Sequence, residues 1–341
     1  MRAAVVILNW NGKSLLEKFL PFVVKYSEGI ADIHVIDNAS SDKSAEFISS
    51  NFTSVKVIQN IDNYGFAKGY NEGLKKINAD YFILLNSDVQ VTENWLKPIL
   101  SLMESDKTIA ACQPKLLNYN LRDEFEYAGG AGGFIDKYGY PFCRGRIFDS
   151  FEKDTGQYND SREIFWASGA CLFIRSDVFY EAGRLDEDFF AHMEEIDLCW
   201  RMKNMGHKVM YCADSVIYHI GGGTLSKISP DKTFLNFRNN LILLSKNHSP
   251  EYFFIKMLLR LKLDAIAGFR FLVTGSFLHF AAVIRAHWSF FSSLGRTFKK
   301  RKAMKKRISH YTDSAIYKRS IVWEYFIKGK KNFFELSEKL F

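Results

Sequence analysis

Two nucleotide-binding signatures are missing from this chain. No G-x-G-x-x-G follows its first apolar run, and no P-loop lysine motif occurs. Their absence counts against dinucleotide enzymes and P-loop NTPases. Cysteine is scarce as well. Cys112, Cys143, Cys171, Cys199 and Cys212 show no C-x-x-C spacing. They read as reduced core residues of a cytosolic protein, not as a disulfide or zinc framework. No clean apolar run of membrane-spanning length exists. Tyr252–Trp288 is apolar and aromatic, but Arg260, Lys262, Asp264, Arg270, His279 and Arg285 interrupt it, so no transmembrane span is expected. Met1-Arg2 leads straight into Ala3-Ala-Val-Val-Ile-Leu8. That run is too short for a secretory signal and reads as a first strand.

What is present is unevenly charged. Residues 231–341 hold 22 Lys/Arg against 7 Asp/Glu, while residues 1–230 hold 24 against 31. An acidic body with a basic tail argues for two parts with different partners. With 341 residues, 47% of them apolar, the chain can build one large domain plus an appendage. The expected division is 1–230 and 231–341.

The body alternates strand and helix patterns. Ala3–Leu8, Ile33–Ile36 and Val55–Ile58 read as strands, with helical spacing between them. Tyr81-Phe-Ile-Leu-Leu85 is apolar without alternation, which marks a central strand buried on both faces. Each strand ends in polar residues: Asn9, Asp37-Asn38, Asn60 and Asn86-Ser-Asp88. This pattern predicts an α/β fold, a Rossmann-like nucleotide-binding half with a mostly parallel central sheet. Ile109–Leu117 and Ile164–Ile174 read as further strands, as do Val209–Cys212 and Val216–His219. Residues 118–163 read as irregular, a functional loop or lid.

In open α/β sheets the ligand lies at the carboxyl ends of the strands. There Asn9, Asp37 and Asn38 are candidates to hold a nucleoside. The glycine-punctuated loop Asn63–Gly73 allows backbone to approach a ligand closely, and offers Asn63, Gly65 and Asn71. Asn86 and Ser87 end the central strand. Asp88 is a hard oxygen ligand suited to Mg²⁺ or Mn²⁺, with His219 as a second candidate. Glu194, Glu195 and Asp197 crowd four positions. Such crowding raises the pKa of at least one member and makes these three the candidate acid–base residues.

In this order the motifs resemble the family 2 glycosyltransferases, inverting enzymes of the GT-A fold, and especially the rhamnosyltransferase-like branch. Val5–Gly12, Val35–Asp42, Asn60–Gly73, Leu84–Val89, Trp166–Ala170, Gly183–Phe190 and His192–Arg201 each look like a family block. The resemblance runs from about Ala3 to Thr224. It implies a nucleotide-diphosphate sugar donor, with Asp37 on the base and Asp88 and His219 on a divalent metal. It implies Glu195 as general base, with Glu194 as the alternative, and Trp166 and Asp197 as residues that place a saccharide or lipid-linked glycan acceptor. Two positions depart from the family pattern. Asn86 stands where the first Asp of D-x-D is expected, and Glu195 where the branch usually has Asp. The Q-x-x-R-W motif of processive synthases is absent, which points to single-sugar addition. Two other readings stay open: a nucleotidyltransferase, although Asn9-Trp-Asn-Gly12 supplies no glycine- and lysine-rich first loop, and a non-catalytic sugar- or lipid-binding scaffold.

The tail reads as helices. Between Arg296 and Arg307, eight of twelve residues are Lys or Arg. Beside amphipathic aromatic helices, that charge suits an anionic membrane surface rather than nucleic acid. A cytoplasmic protein, peripheral on the cytoplasmic face of the membrane, is the expectation.

Overall fold

The computed structural model describes residues 1–221 and 229–341. Gly222, Gly223 and Thr224 of the glycine-rich stretch lie outside the described residues. β1 (Ala3–Asn9), α1 (Lys13–Ser27), β2 (Ala31–Asp37), α2 (Ser44–Asn51), β3 (Val55–Gln59) and α3 (Gly65–Leu74) alternate up to β4 (Tyr81–Leu85). β5 (Val89–Val91), α4 (Lys97–Ser105) and β6 (Ile109–Asn118) follow. Next come four short strands, β7 (Gly133–Asp136), β8 (Pro141–Cys143), β9 (Arg146–Ile147) and β10 (Ser150–Phe151). β11 (Arg162–Ile164), β12 (Cys171–Arg175), α5 (Ser176–Glu181), α6 (Glu194–Asn204) and β13 (Lys208–His219) complete the body. The extension holds α7 (Pro230–Asn247), α8 (Phe253–Val273), α9 (Phe277–Ser292), α10 (Leu294–Lys305), β14 (Ile316–Tyr317) and α11 (Ile321–Phe326).

The expected α/β architecture is present. The large sheet runs β11-β13-β6-β12-β4-β1-β2-β3, with β5 added on β13. β3, β2, β1 and β4 are mutually parallel. β12 enters antiparallel between β4 and β6. β4 is buried at every position, as its unbroken apolar run predicts. One core lies between the sheet and α1, α2 and α4. A second lies on the opposite face. All five cysteines are free and buried, as expected.

Three element readings change. Residues 118–163 are not merely irregular, because β7–β10 build a second sheet in the order β10-β9-β8-β7-β14. Strands of two to four residues are too short to show a period. Ile164–Ile174 is two strands, broken by the turn through Ser168 and Gly169. The two late strands are one, β13, with a register shift between Cys212 and Val216.

The boundary expected at residue 230 does not separate two cores. Leu241, Phe290, Tyr317, Tyr325 and Phe333 belong to the same apolar cluster as Phe82 and Trp166. β14 is an edge strand of the second sheet, paired in parallel with β7. Among the described residues, no helix is long and apolar enough to cross a membrane.

Candidate active site

The ends of β1 and β2 stand side by side, since Asn9 pairs in register with Asp37. Both side chains are buried. Asn9 Nδ2 donates to Asp37 Oδ1 at 3.1 Å and to Ser40 Oγ at 3.2 Å. Asp37 Oδ2 accepts the Ser40 backbone N–H at 3.0 Å, and Asn9 Oδ1 is buried with no partner. Asn38 ties the next loop to this edge. Its Nδ2 donates to Gly65 O at 3.0 Å and to Asn63 Oδ1 at 3.3 Å, and its Oδ1 accepts Asn60 Nδ2 at 2.8 Å. Gly65 has φ of 70°, and a Cβ there would sit 3.1 Å from the Phe190 ring. Only glycine meets both conditions without strain.

The end of β4 comes next to β1. Asn86 N–H donates to Ala170 O at 3.0 Å. Ser87 Oγ lies 3.6 Å from where a Cβ on Gly12 would stand. Asp88 leads into β5, whose pairing with β13 sets Val89 opposite His219. His219 Nε2 then lies 3.0 Å from Asp88 Oδ1. On the other side of the ring, Nδ1 is 3.2 Å from Glu126 Oε1, an ion-pair contact rather than an aligned hydrogen bond. Burial alone would strip the imidazole of its proton. The Glu126 and Asp88 carboxylates outweigh that and push its pKa up to about 10. Burial likewise works against the Asp88 carboxylate, but His219 holds its pKa below the usual carboxylate value.

This pair passes a test of fit for a hard divalent cation. One carboxylate oxygen and one imidazole nitrogen converge, both from residues that are almost fully buried, and both are donors such an ion accepts. Among the described residues no group of three ligating side chains is assembled. Mg²⁺ takes few protein ligands and fills its shell from phosphates and water. Glu126 is a residue that sequence reasoning missed. It follows Asp123 and Glu124 in a stretch without period, and no local signal sets it apart from them.

Glu194 and Glu195 open α6. They follow two residues in the left-handed region, His192 with φ of 69° and Met193 with φ of 75°. Asn239 of α7 braces this turn, donating at 2.9 Å to the carbonyls of Ala191 and His192. Each glutamate has a buried Oε2 with no partner. Burial pushes the Glu195 pKa up to about 7. Burial and the neighbouring Glu195 charge raise Glu194 well above the ordinary glutamate value. Glu195 faces Gly169, its Cβ and Cδ lying 3.9 Å from where a Cβ on that glycine would stand. Ala170, the next residue, receives the Asn86 hydrogen bond, so Glu195 and the end of β4 meet across one turn.

Three expected site residues are spent elsewhere. Asp197 is fully buried. It accepts from Arg201 Nε at 2.8 Å, Lys246 Nζ at 2.9 Å and Asn247 Nδ2 at 2.8 Å. It ties α6 to α7. Trp166 donates its indole N–H to Phe134 O at 2.9 Å and bridges Gly133, which makes it core. Asn71 is used in both directions by the Leu185 backbone, at 2.8 and 3.1 Å.

Comparison with known proteins gives one family model, described as glycosyl transferase family 2, over residues 4–182. A low-salt glycan biosynthesis hexosyltransferase, Agl10 of Haloferax volcanii, is 22% identical, covering 70% of this chain and 74% of its own. The N-acetylglucosaminyl-diphospho-decaprenol L-rhamnosyltransferase of Mycobacterium tuberculosis is 21% identical, covering 72% and 84%. Among solved structures, TarS of S. aureus with UDP-GlcNAc superposes at a TM-score of 0.57 with 13% identity, covering 90% of this chain and 87% of the other. GalNAc-T7 with UDP, GalNAc and Mn²⁺ gives 0.56 with 20% identity over 72% of this chain. The chain spans 48% of GalNAc-T7's length. At such identities the structural likeness shows the GT-A fold alone.

Proposed function

The chain belongs to glycosyl transferase family 2, and from that premise we propose that it is an inverting transferase of surface-glycan assembly. The donor is a nucleoside-diphosphate sugar, dTDP- or UDP-linked, with rhamnose the first to test. The acceptor is a hydroxyl of a saccharide or of a lipid-linked saccharide. The rhamnosyltransferase relative supports the sugar, and its decaprenol acceptor supports the lipid-linked alternative.

One observation carries the reading. A carboxyl with an unpartnered, enclosed oxygen and a pKa near neutrality, that of Glu195, stands beside the polar end of the central strand. A general base works best when its pKa lies near the working pH. Of the two acids, Glu195 is the one that faces Gly169 and the turn beside β4, and the base is assigned to it. Its Oε2 takes the proton of the acceptor hydroxyl. The acceptor oxygen forms the new bond to the anomeric carbon as the bond to the diphosphate oxygen breaks, and the configuration inverts.

Asp37, oriented by Asn9 and Ser40, receives the nucleoside, and the Asn63–Gly65 backbone held by Asn38 walls its pocket. Asp88 and His219 would hold the divalent cation, which when bound offsets the negative charge of the diphosphate. Asp197 and Trp166 act at one remove, by fixing α6 and the 166–170 turn.

The test is nucleotide release. The protein is incubated with dTDP-rhamnose, UDP-glucose and UDP-GlcNAc, each with a saccharide acceptor, with and without Mn²⁺. Release of one nucleoside diphosphate that depends on acceptor supports the proposal. No release, together with no nucleotide-induced rise in Tm, would overturn it. The peripheral-membrane expectation belongs to the helical extension and is argued from its surface below.

A further inference from the structure

Helices α8 and α9 of the extension both turn large apolar side chains outward. α8 buries Arg260 and Asp264. Arg260 Nε donates to Asp264 Oδ1 at 2.9 Å, and the Tyr140 hydroxyl donates to the same oxygen at 2.9 Å. His287 of α9 lies 3.4 Å from Asp264 Oδ2. The outer face of α8 carries Phe254, Leu258, Ile266 and Phe269, all exposed, Phe254 at 81%. On α9, Phe277, Ile284, Trp288 and Phe291 are exposed, Trp288 at 79%. Steps of seven, four and three residues place those four on one helical stripe. A helix packed on a protein in water shows the opposite order. A contiguous apolar face of this kind marks a contact surface.

The charge around this face has one sign. No acidic residue occurs between Asp264 and Asp313. Lys262, Arg270 and Arg285 are exposed on the same two helices. The basic run that follows is divided in its use. Arg296 pairs with Asp188, and Lys300 pairs with Asp186 and Asp188. Arg301 donates to the carbonyls of Ser245 and His248, and Arg307 to that of Glu181. Lys299, Lys302, Lys305 and Lys306 are exposed, and none has an acidic partner among the described residues.

We propose that the outer face of α8 and α9 seats the chain on an anionic phospholipid surface. The stripe from Phe277 to Phe291 and its neighbour on α8 lie among the acyl chains just below the headgroups. The exposed lysines of α10 meet the headgroup charge. A second copy of this chain fits the patch less well, since it would bring two uncompensated basic rims together. The proposal rests on the extension alone and stands whether or not the transferase reading holds. With a lipid-linked acceptor, it would bring enzyme and acceptor to one plane.

The experiment is flotation of the full chain with phosphatidylcholine vesicles, with and without phosphatidylglycerol, at low and high salt. The expected result is binding that weakens with salt but keeps a salt-resistant part. Trp288 emission, taken as the difference from Trp288→Phe, shifts to the blue and is quenched by lipids labelled near the headgroup. The double variant Phe269→Asp with Trp288→Asp lowers partitioning at least about tenfold, while Tm and nucleotide release stay as in the parent. Replacing Lys299, Lys302, Lys305 and Lys306 by Gln removes the salt-sensitive part and leaves the rest. Any of three results overturns the proposal. One is no binding by the parent. Another is binding abolished outright by salt, which means adsorption without insertion. The third is a dimer in solution that the double variant dissociates while vesicles bind neither form. Because the assay contains no donor, its failure is distinct from failure of the transfer reaction.

Discussion

His219, the last residue of β13, holds its Nε2 3.0 Å from Oδ1 of Asp88, a residue 131 positions earlier in the chain. The contact exists because β5, which begins directly after Asp88, pairs antiparallel with the end of β13. Glu126 completes the arrangement from a third segment, at 3.2 Å from Nδ1. A carboxylate behind a histidine fixes the orientation of the ring, and such partners are worth about 10–100-fold in metal affinity. Glu126→Gln is therefore expected to weaken Mn²⁺ binding by about that factor, measured by calorimetry in the presence of a nucleoside diphosphate. His219→Ala should weaken it further. Unchanged affinity in both variants would remove this pair from the metal site.

Glu195→Gln is expected to lower turnover by about 10²–10⁴-fold with donor affinity kept. Single-turnover rates and nucleotide binding together check this. In the parent, kcat/KM should rise with pH through about 7, because the carboxylate is the active form and burial sets its pKa there.

The same residue predicts a pH-dependent stability. Burial raises the folded pKa from the ordinary glutamate value of 4.5 to about 7, so the folded state holds the proton more tightly than the unfolded one. Its favourable contribution is complete below about pH 4.5 and is lost as pH rises through about 7. The loss is on the order of 3 kcal/mol. Glu195→Gln carries no such loss. Its Tm should exceed the parent's at pH 8, and the two should converge at pH 5, by differential scanning fluorimetry. An equal difference at both pH values would contradict the buried carboxyl.

Gly65→Ala places a Cβ against Phe190 in a left-handed backbone. Strain of about 1–2 kcal/mol is expected to shift the loop held by Asn38. The expected effect is a rise in donor KM of about 5–30-fold with kcat little changed. A fall in kcat at constant KM would place the loop away from the nucleotide.

Lys246→Met removes a buried cation that Asp186 and Asp197 share. Breaking a buried ion pair from one side costs about 3–5 kcal/mol. Urea denaturation should show a loss of that order. A loss below 1 kcal/mol would mean that Arg201 and Asn247 satisfy Asp197 alone.

Much of the fold was legible in the sequence. Val5–Leu8, Val35-Ile36 and Tyr81–Leu85 are apolar runs that stop at polar residues. A strand's burial and its end are local properties, written in consecutive residues. The candidates Asn9, Asp37, Asn38 and Asp88 followed from that placement alone. The second sheet was not legible, because β9 and β10 have two residues each and owe their pairing to neighbours rather than to a pattern.

The choice between Glu194 and Glu195 was open in the sequence, where both are acids at a helix start. Burial raises the pKa of both, and the turn at Gly169 singles out Glu195, whose Cβ and Cδ face it. Asp197 looked like a third member of that cluster. The structure commits it to Arg201, Lys246 and Asn247, because α6 is buried along almost its whole length and α7 packs beside it. Half of the basic run on α10 likewise turns to the body, where Asp186 and Asp188 await it. The sequence by itself determined the strands, their polar ends and the sign of the tail's charge, since each depends on neighbours in the chain. Which acids stay free, and which cations face outward, only the tertiary structure decided, because that depends on contacts between segments far apart in sequence.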